Sequence, residues 1–256
     1  MANGPQARAR APTADRRQPR ADSNAMKIAG LQRLTLIDYP DRIAATLFLA
    51  GCNLDCGYCY NRWMIDASRA PEALPVEAFL DWLHIRVGKL DGVCVSGGEP
   101  TLDPDLPDLL RAIKGLGFAV KLDSNGTRPA VLGALLDEGL LDYVAVDIKA
   151  PLDERYAIVA GRPVDPDVIR RTLALLREWG GPYELRTTVG PDLDRAALRD
   201  IAKELLPEER WYLQPYMATP EVSERLAGLS APSEDDLRNA AEELRAVAGG
   251  VRLRGE

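Results

Sequence analysis

Apolar runs of strand length alternate with amphipathic segments of helix length along most of the chain. The short runs fall at 43–49, 92–96, 118–123, 143–149, 183–189 and 211–214. Between them, segments with apolar positions three and four apart fall at 76–87, 106–116, 129–138, 167–179 and 195–206, and a sixth follows at 234–247. Strand–helix alternation with short connections predicts an α/β fold of parallel strands joined by crossover helices. Two architectures fit: a partial (βα)6 barrel and a doubly wound sheet.

The period-two pattern inside the strands separates them. In 143–149, Val144, Val146 and Ile148 share one face, while Tyr143, Ala145, Asp147 and Lys149 share the other. In 118–123 the apolar face is Phe118, Val120 and Leu122, against Ala119, Lys121 and Asp123; in 183–189, Tyr183, Leu185 and Val189 stand against Glu184, Arg186 and Thr188. Strands of a doubly wound sheet are apolar on both faces because helices cover both. These strands carry an ionic face, which favours the barrel, with helices outside and charged groups in the lumen. Unpaired burial of charge costs several kcal/mol, so a charged ligand or paired charges are expected inside. The Gly-rich or ionic turns at 51–59, 96–100, 123–126 and 147–149 all follow strands, at the end where parallel α/β folds place their sites.

Composition adds limits. The 256 residues fit one large domain, and 46% hydrophobic against 28% charged residues is ordinary for a globular chain. The first 25 residues lack apolar periodicity and hold five Arg against two Asp, so the remainder carries more than the whole chain's net −7. The expected organisation is a disordered tail at 1–25, with Met26 a candidate start, and one domain at 26–256. The tail is Arg-rich and acid-poor like a transit peptide but has no secretory h-region. An acidic body argues against nucleic acid as the main partner, and no run of 18 apolar residues offers a membrane span.

Four cysteines are present, and Cys52, Cys56 and Cys59 lie within eight residues. A disulfide framework would spread its cysteines; this crowding reads as metal or redox chemistry in a reducing compartment, the cytoplasm. Three thiolates on one short loop suit a face of an iron–sulfur cluster, with Gly51 and Gly57 permitting the wrap. A zinc knot is the competing reading, but closed zinc sites want four ligands and the only histidine, His84, lies in a predicted helix. Cys94, in the middle of a strand, reads as packing. One iron is left without a protein ligand.

The three-cysteine signature with Tyr58 before its last cysteine resembles that of the radical S-adenosylmethionine (SAM) enzymes. Gly30-Leu-Gln-Arg-Leu-Thr-Leu-Ile-Asp-Tyr-Pro40, and the chain onward to Pro215, more closely resemble the activating enzymes of anaerobic ribonucleoside-triphosphate reductase. This resemblance implies a radical-SAM barrel, a 4Fe-4S cluster on Cys52, Cys56 and Cys59, and SAM chelating the open iron. It implies Tyr58 beside the adenine; loop packing explains that residue equally. Ser96-Gly97-Gly98-Glu99-Pro100 matches the motif that receives the methionyl ammonium through backbone carbonyls and the Glu, although Gly-Gly after a strand is also an ordinary turn.

Asp123-Ser124-Asn125-Gly126 and Asp147-Ile148-Lys149 resemble turns whose two Asp residues bind a monovalent cation beside the SAM carboxylate, and oxygen ligands suit such a cation. Pairing of Asp147 and Lys149 with other lumen charges is the alternative. Arg186 matches an Arg able to meet the same carboxylate. Two positions depart from relatives: Met217 stands where other activases carry a histidine, and Tyr60-Asn61 where many have His-Asn.

The implied chemistry begins when flavodoxin or ferredoxin reduces the cluster. Reductive SAM cleavage then gives methionine and a 5′-deoxyadenosyl radical, which takes an α-hydrogen from a glycine of a partner, a glycyl-radical enzyme. The protein positions the bond and excludes water, and needs no acid–base residue, so His84 reads as structural. The rival readings are a radical SAM enzyme acting on a small molecule, as 7-carboxy-7-deazaguanine synthase does, and a non-catalytic iron–sulfur electron-transfer module.

Overall fold

The computed structural model describes residues 26–69, 74–219, 222, 224–226 and 228–254; the expected tail at 1–25 lies outside the described residues. Fifteen elements organise them. In chain order these are β1 (Ile28–Thr35), β2 (Ala44–Leu49), α1 (Val76–His84), β3 (Gly92–Gly97), α2 (Leu106–Gly115), β4 (Ala119–Ser124), α3 (Pro129–Asp137) and β5 (Tyr143–Asp147). Then come α4 (Arg155–Ala160), α5 (Pro166–Trp179), β6 (Tyr183–Val189), α6 (Arg195–Ala202), β7 (Trp211–Pro215), α7 (Glu234–Leu244) and β8 (Val251–Leu253).

All eight strands form one sheet in the order β1 to β8. Strands β2 to β8 are parallel; β1 runs antiparallel to β2, with two irregularities in register. The six expected strands are therefore present, flanked by β1 on one edge and β8 on the other. Three of the expected helices stop early: α1 ends at His84, α6 at Ala202 and α7 at Leu244.

The sidedness follows the period-two pattern. Val93, Val95, Val120, Leu122, Val144, Val146 and Leu185 are buried in one core with helix residues such as Leu110, Ile113, Leu135 and Ile169. Lys121, Asp123, Glu184 and Arg186 share the opposite, inner face. The sheet is open but strongly curled. Arg254, just past β8, donates to the Ile37 carbonyl just past β1 at 3.0 Å and to the Glu184 carboxylate at 3.1 Å. Between β1 and β2 the chain dips beneath the lumen, where Tyr39 is buried against Tyr143 and Thr46 donates to Asp38 at 2.6 Å. The opposite end, at the carboxyl ends of the parallel strands, stays open.

Candidate active site

The cysteine loop begins where β2 ends and is held by backbone bonds at several points. Gly51 N–H donates to Met64 O at 2.7 Å, Cys52 N–H to Ile65 O at 3.0 Å, and Asp55 N–H to Ala160 O at 2.9 Å. Leu54 N–H points at Cys52 Sγ, 3.4 Å away, and Arg62 bonds both Asp55 and the Cys56 carbonyl.

Two helix and strand ends support the loop through glycines. At Gly98 a Cβ would collide with the Gly51 carbonyl, and Glu99 N–H donates to that same oxygen at 2.7 Å. At Gly161, which caps α4 with φ +67°, a Cβ would overlap the Asp55 carbonyl. A Gly161→Ala variant is therefore expected to lose about 1–2 kcal/mol from the left-handed backbone alone. Displacement of the loop adds to this; urea unfolding of the metal-free protein and iron content after reconstitution measure the two effects.

Cys52, Cys56, Tyr58, Cys59, Gly97 and Gly98 face one cavity of about 560 Å³ together with Asp123, Ser124, Asp147, Lys149 and Arg186. The structure thus assembles every residue singled out for the site except Glu99, which stands behind the wall. Glu99 is buried, and its carboxylate accepts from Thr101 N–H and hydroxyl, from Ser124 Oγ at 2.9 Å and from Asn125 N–H at 2.6 Å. Burial pushes this carboxyl up despite those donors. Four acceptor positions are about what a carboxylate has. Glu99 therefore ties the Gly97–Gly98 turn to the turn after β4.

The acidic and basic groups form a chain across the wall. Lys121, itself fully buried, bonds Asp123; Arg186 donates to Asp123 at 2.9 Å and to Asp147 at 2.8 Å; Lys149 stands 3.4 Å from Asp147. Burial alone would raise both aspartates, but Arg186 beside them, helped by Lys121 at Asp123 and Lys149 at Asp147, holds Asp123 well below the usual carboxylate range and lowers Asp147 as well. Burial likewise opposes the Lys149 charge, yet Tyr58, Cys56 and Asp147 keep its pKa high. Its ammonium lies 3.5 Å from the Tyr58 hydroxyl. These lumen charges are thus paired with one another along the wall.

Other residues join the site although the sequence assigned them no role in it. Asn125 donates to Asn53 at 2.9 Å and reaches Cys52 Sγ at 4.0 Å, while Asn53 donates to Thr127 at 2.8 Å. Gln214 donates to Thr188 at 2.7 Å on the cavity wall, which also includes Asp38, Met217 and Arg254. Cys94 is buried, with Lys121 Nζ 3.9 Å from its sulfur, and does not line the cavity. His84 is exposed at the end of α1.

The donor set fits a 4Fe-4S cluster: three soft thiols on one loop, all on one cavity wall, with glycines where the backbone crowds. Burial pushes the Cys52 thiol up to about 11 and raises Cys59 too, so binding iron has to expel protons. Among the described residues no group of three His, Cys, Asp or Glu is close enough to hold a single metal ion. A cluster differs in spreading its thiolates over separate irons.

An open, curled parallel sheet with a three-thiol loop after its first parallel strand defines an α/β enzyme of the cluster-binding barrel class. The Radical SAM superfamily profile matches residues 46–205, and the chain belongs to that family, whose members use a 4Fe-4S cluster and SAM. A Methanocaldococcus jannaschii protein named as a candidate glycyl-radical enzyme activating enzyme is 31% identical over 233 residues, spanning 89% of this chain and 95% of its own. A 7-carboxy-7-deazaguanine synthase from Thermococcus kodakarensis is 33% identical over 119 residues, 39% of this chain and 46% of that one. The fold of Streptococcus suis SuiB superposes with a TM-score of 0.64 at 16% identity, covering 80% of this chain and 48% of SuiB. Among the described residues no helix is long and apolar enough to cross a membrane.

Proposed function

We propose that this radical SAM enzyme is an activase that installs a glycyl radical on a partner enzyme, and that the partner is an anaerobic ribonucleotide reductase. The observation that carries this reading is the likeness to the glycyl-radical activase relative along 95% of that protein's length, whereas the likeness to the deazaguanine synthase covers 46% of it. The resemblance of 30–40 to reductase activases supplies the particular partner.

A bound cluster would supply one electron, taken from flavodoxin or ferredoxin, for reductive cleavage of SAM to methionine and the radical that takes hydrogen from glycine. Cys52, Cys56 and Cys59 would hold three irons and leave the fourth to the SAM amino and carboxylate groups. The Gly97 and Gly98 carbonyls would receive the methionyl ammonium, with Glu99 fixing that turn from behind. Arg186, Lys149 and Ser124 would meet the carboxylate, and Asp123 and Asp147 would share a monovalent cation if ligand binding loosens their grip on Arg186. Tyr58 would flank the adenine.

Anaerobic incubation of the reconstituted protein with SAM, a reductant and the co-purifying partner tests this by electron paramagnetic resonance. A glycyl doublet on the partner is expected. Formation of 5′-deoxyadenosine with no protein radical, and with turnover of a small purine or pterin precursor, would overturn the activase reading in favour of a small-molecule enzyme.

A further inference from the structure

The cysteine loop has two sides. Cys52, Leu54, Cys56, Tyr58 and Cys59 face the cavity, whereas Asn53 and Asp55 do not. Those two residues meet three neighbouring segments, and each segment carries an arginine. Asn53 donates to Thr127 at 2.8 Å, one residue before Arg128. Arg62 pairs with Asp55 at 2.6 Å. Gly161 packs against the Asp55 carbonyl, and Arg162 follows it.

The charge on this outward side is opposite to that of the chain. Lys27, Arg62, Arg69, Arg128 and Arg162 stand against Asp55 and Asp66, on a chain whose net charge is −7. Lys27 belongs here because its ammonium donates to the Ala67 carbonyl at 3.0 Å and its own carbonyl accepts from Ala50 N–H. Arg128 and Arg162 are exposed, and among the described residues no carboxylate pairs with either. Asp165 and Asp167, further along from Arg162, pair with Arg171 and Arg170. Arg62 also donates to the Cys56 carbonyl at 3.3 Å, so one hydrogen bond joins this surface to a cysteine of the loop. Trp63 beside it is 37% exposed and does not line the cavity. Arginine and aromatic side chains are enriched where proteins bind one another, and unpaired positive charge on an acidic molecule draws an acidic partner. Reductive cleavage needs an electron from outside at every turnover. With SAM on the cavity side of the loop, the outward side is the short route left to it.

We infer that this arginine-bearing face docks an acidic protein that delivers one electron from a surface flavin. A flavin is the carrier chosen because its planar, apolar edge suits contact with an exposed indole such as Trp63. The inference rests on reductive cleavage of SAM and is independent of which enzyme accepts the radical. In each turnover the flavin hydroquinone gives up one electron and becomes the semiquinone. That electron breaks the C5′–S bond of the sulfonium, leaving methionine and the 5′-deoxyadenosyl radical. Without a protein acceptor, dithiothreitol in the buffer supplies the hydrogen atom that completes 5′-deoxyadenosine and is left as its thiyl radical.

Flavodoxin serves as the probe, with two double variants of equal charge change. Arg128→Glu with Arg162→Glu alters the face; Arg199→Glu with Arg252→Glu, at exposed positions of α6 and β8, is the control. Binding of oxidised flavodoxin to the metal-free protein is read by calorimetry at low salt, where screening is weakest. Formation of 5′-deoxyadenosine is read on the loaded enzyme with SAM, driven either by reduced flavodoxin or by excess dithionite. The face variant is expected to weaken both flavodoxin binding and flavodoxin-driven product formation by at least about tenfold, and the control to stay within about twofold of wild type. Dithionite is expected to drive all three proteins equally. Equal losses in the two double variants overturn the inference. So does loss of the dithionite-driven product in the face variant, which would place those arginines in the SAM site. A ferredoxin that binds the face more tightly than flavodoxin, or a face variant that binds flavodoxin normally and fails only with its radical acceptor, overturns it as well. If the wild type makes no 5′-deoxyadenosine with dithionite, the SAM chemistry itself fails, and the contrast in binding to the metal-free proteins still decides the docking face.

Discussion

Changing any one of Cys52, Cys56 and Cys59 to alanine is expected to bring both cluster content after anaerobic reconstitution and SAM cleavage down to background. Each thiol would serve a different iron, so no neighbour could replace it, and among the described residues the cavity wall carries no other Cys or His. Cys94→Ala is the control. That sulfur is buried off the cavity, and burial pushes its thiol far up, toward the protonated form that binds no iron. Cys94→Ala should keep its iron, its sulfide and its 5′-deoxyadenosine yield. Iron and sulfide assays with product chromatography decide the matter, and a loop-cysteine variant that retained full cluster content would refute the ligand assignment.

The second large effect is expected at Arg186, and on stability before chemistry. Its guanidinium bridges Asp123 and Asp147 deep in the lumen, at 2.9 and 2.8 Å, with only 12% of its side chain exposed. Removing one partner of a buried pair leaves uncompensated charge and costs about 3–5 kcal/mol. Arg186→Leu should therefore lower the thermal midpoint of the metal-free protein by about 10 °C. Arg155, which pairs with Asp153 and Asp200 at a surface 40% exposed, is the comparison: Arg155→Leu should cost under about 1 kcal/mol. Equal effects at the two sites would mean that the lumen is far wetter than its geometry implies.

How much of this could be read from the chain depended on the range of the interactions. Six of the parallel strands were legible as short apolar runs between helical segments, and three of them, β4, β5 and β6, set an apolar face against an ionic one, as Val144 and Val146 against Asp147 do. Strand β1 was not, since it is half exposed, antiparallel and irregular in register, and β8 has three residues, too few for a period to show. The six residues of α4 read equally as strand or helix, yet its Gly161 cap supports the cysteine loop.

In the site, Cys52, Cys56 and Cys59 announced themselves by spacing. Asn53 and Arg254 did not, because their meaning lies in partners 70 to 217 residues away along the chain. Resemblance assigned Glu99 to the ligand; the four donors it has in the structure come from the protein. The lumen charges pair with one another, and a carboxylate with its cation would have to compete for the same groups.

The most direct test is to reconstitute the protein without oxygen, reduce it with dithionite, add SAM and measure 5′-deoxyadenosine. Four irons and four sulfides per chain, a cluster spectrum that shifts when SAM is added, and 5′-deoxyadenosine formed together with methionine are the predicted result. Protein that takes up zinc in place of the cluster, or a full cluster whose spectrum ignores SAM and yields no 5′-deoxyadenosine, would contradict it.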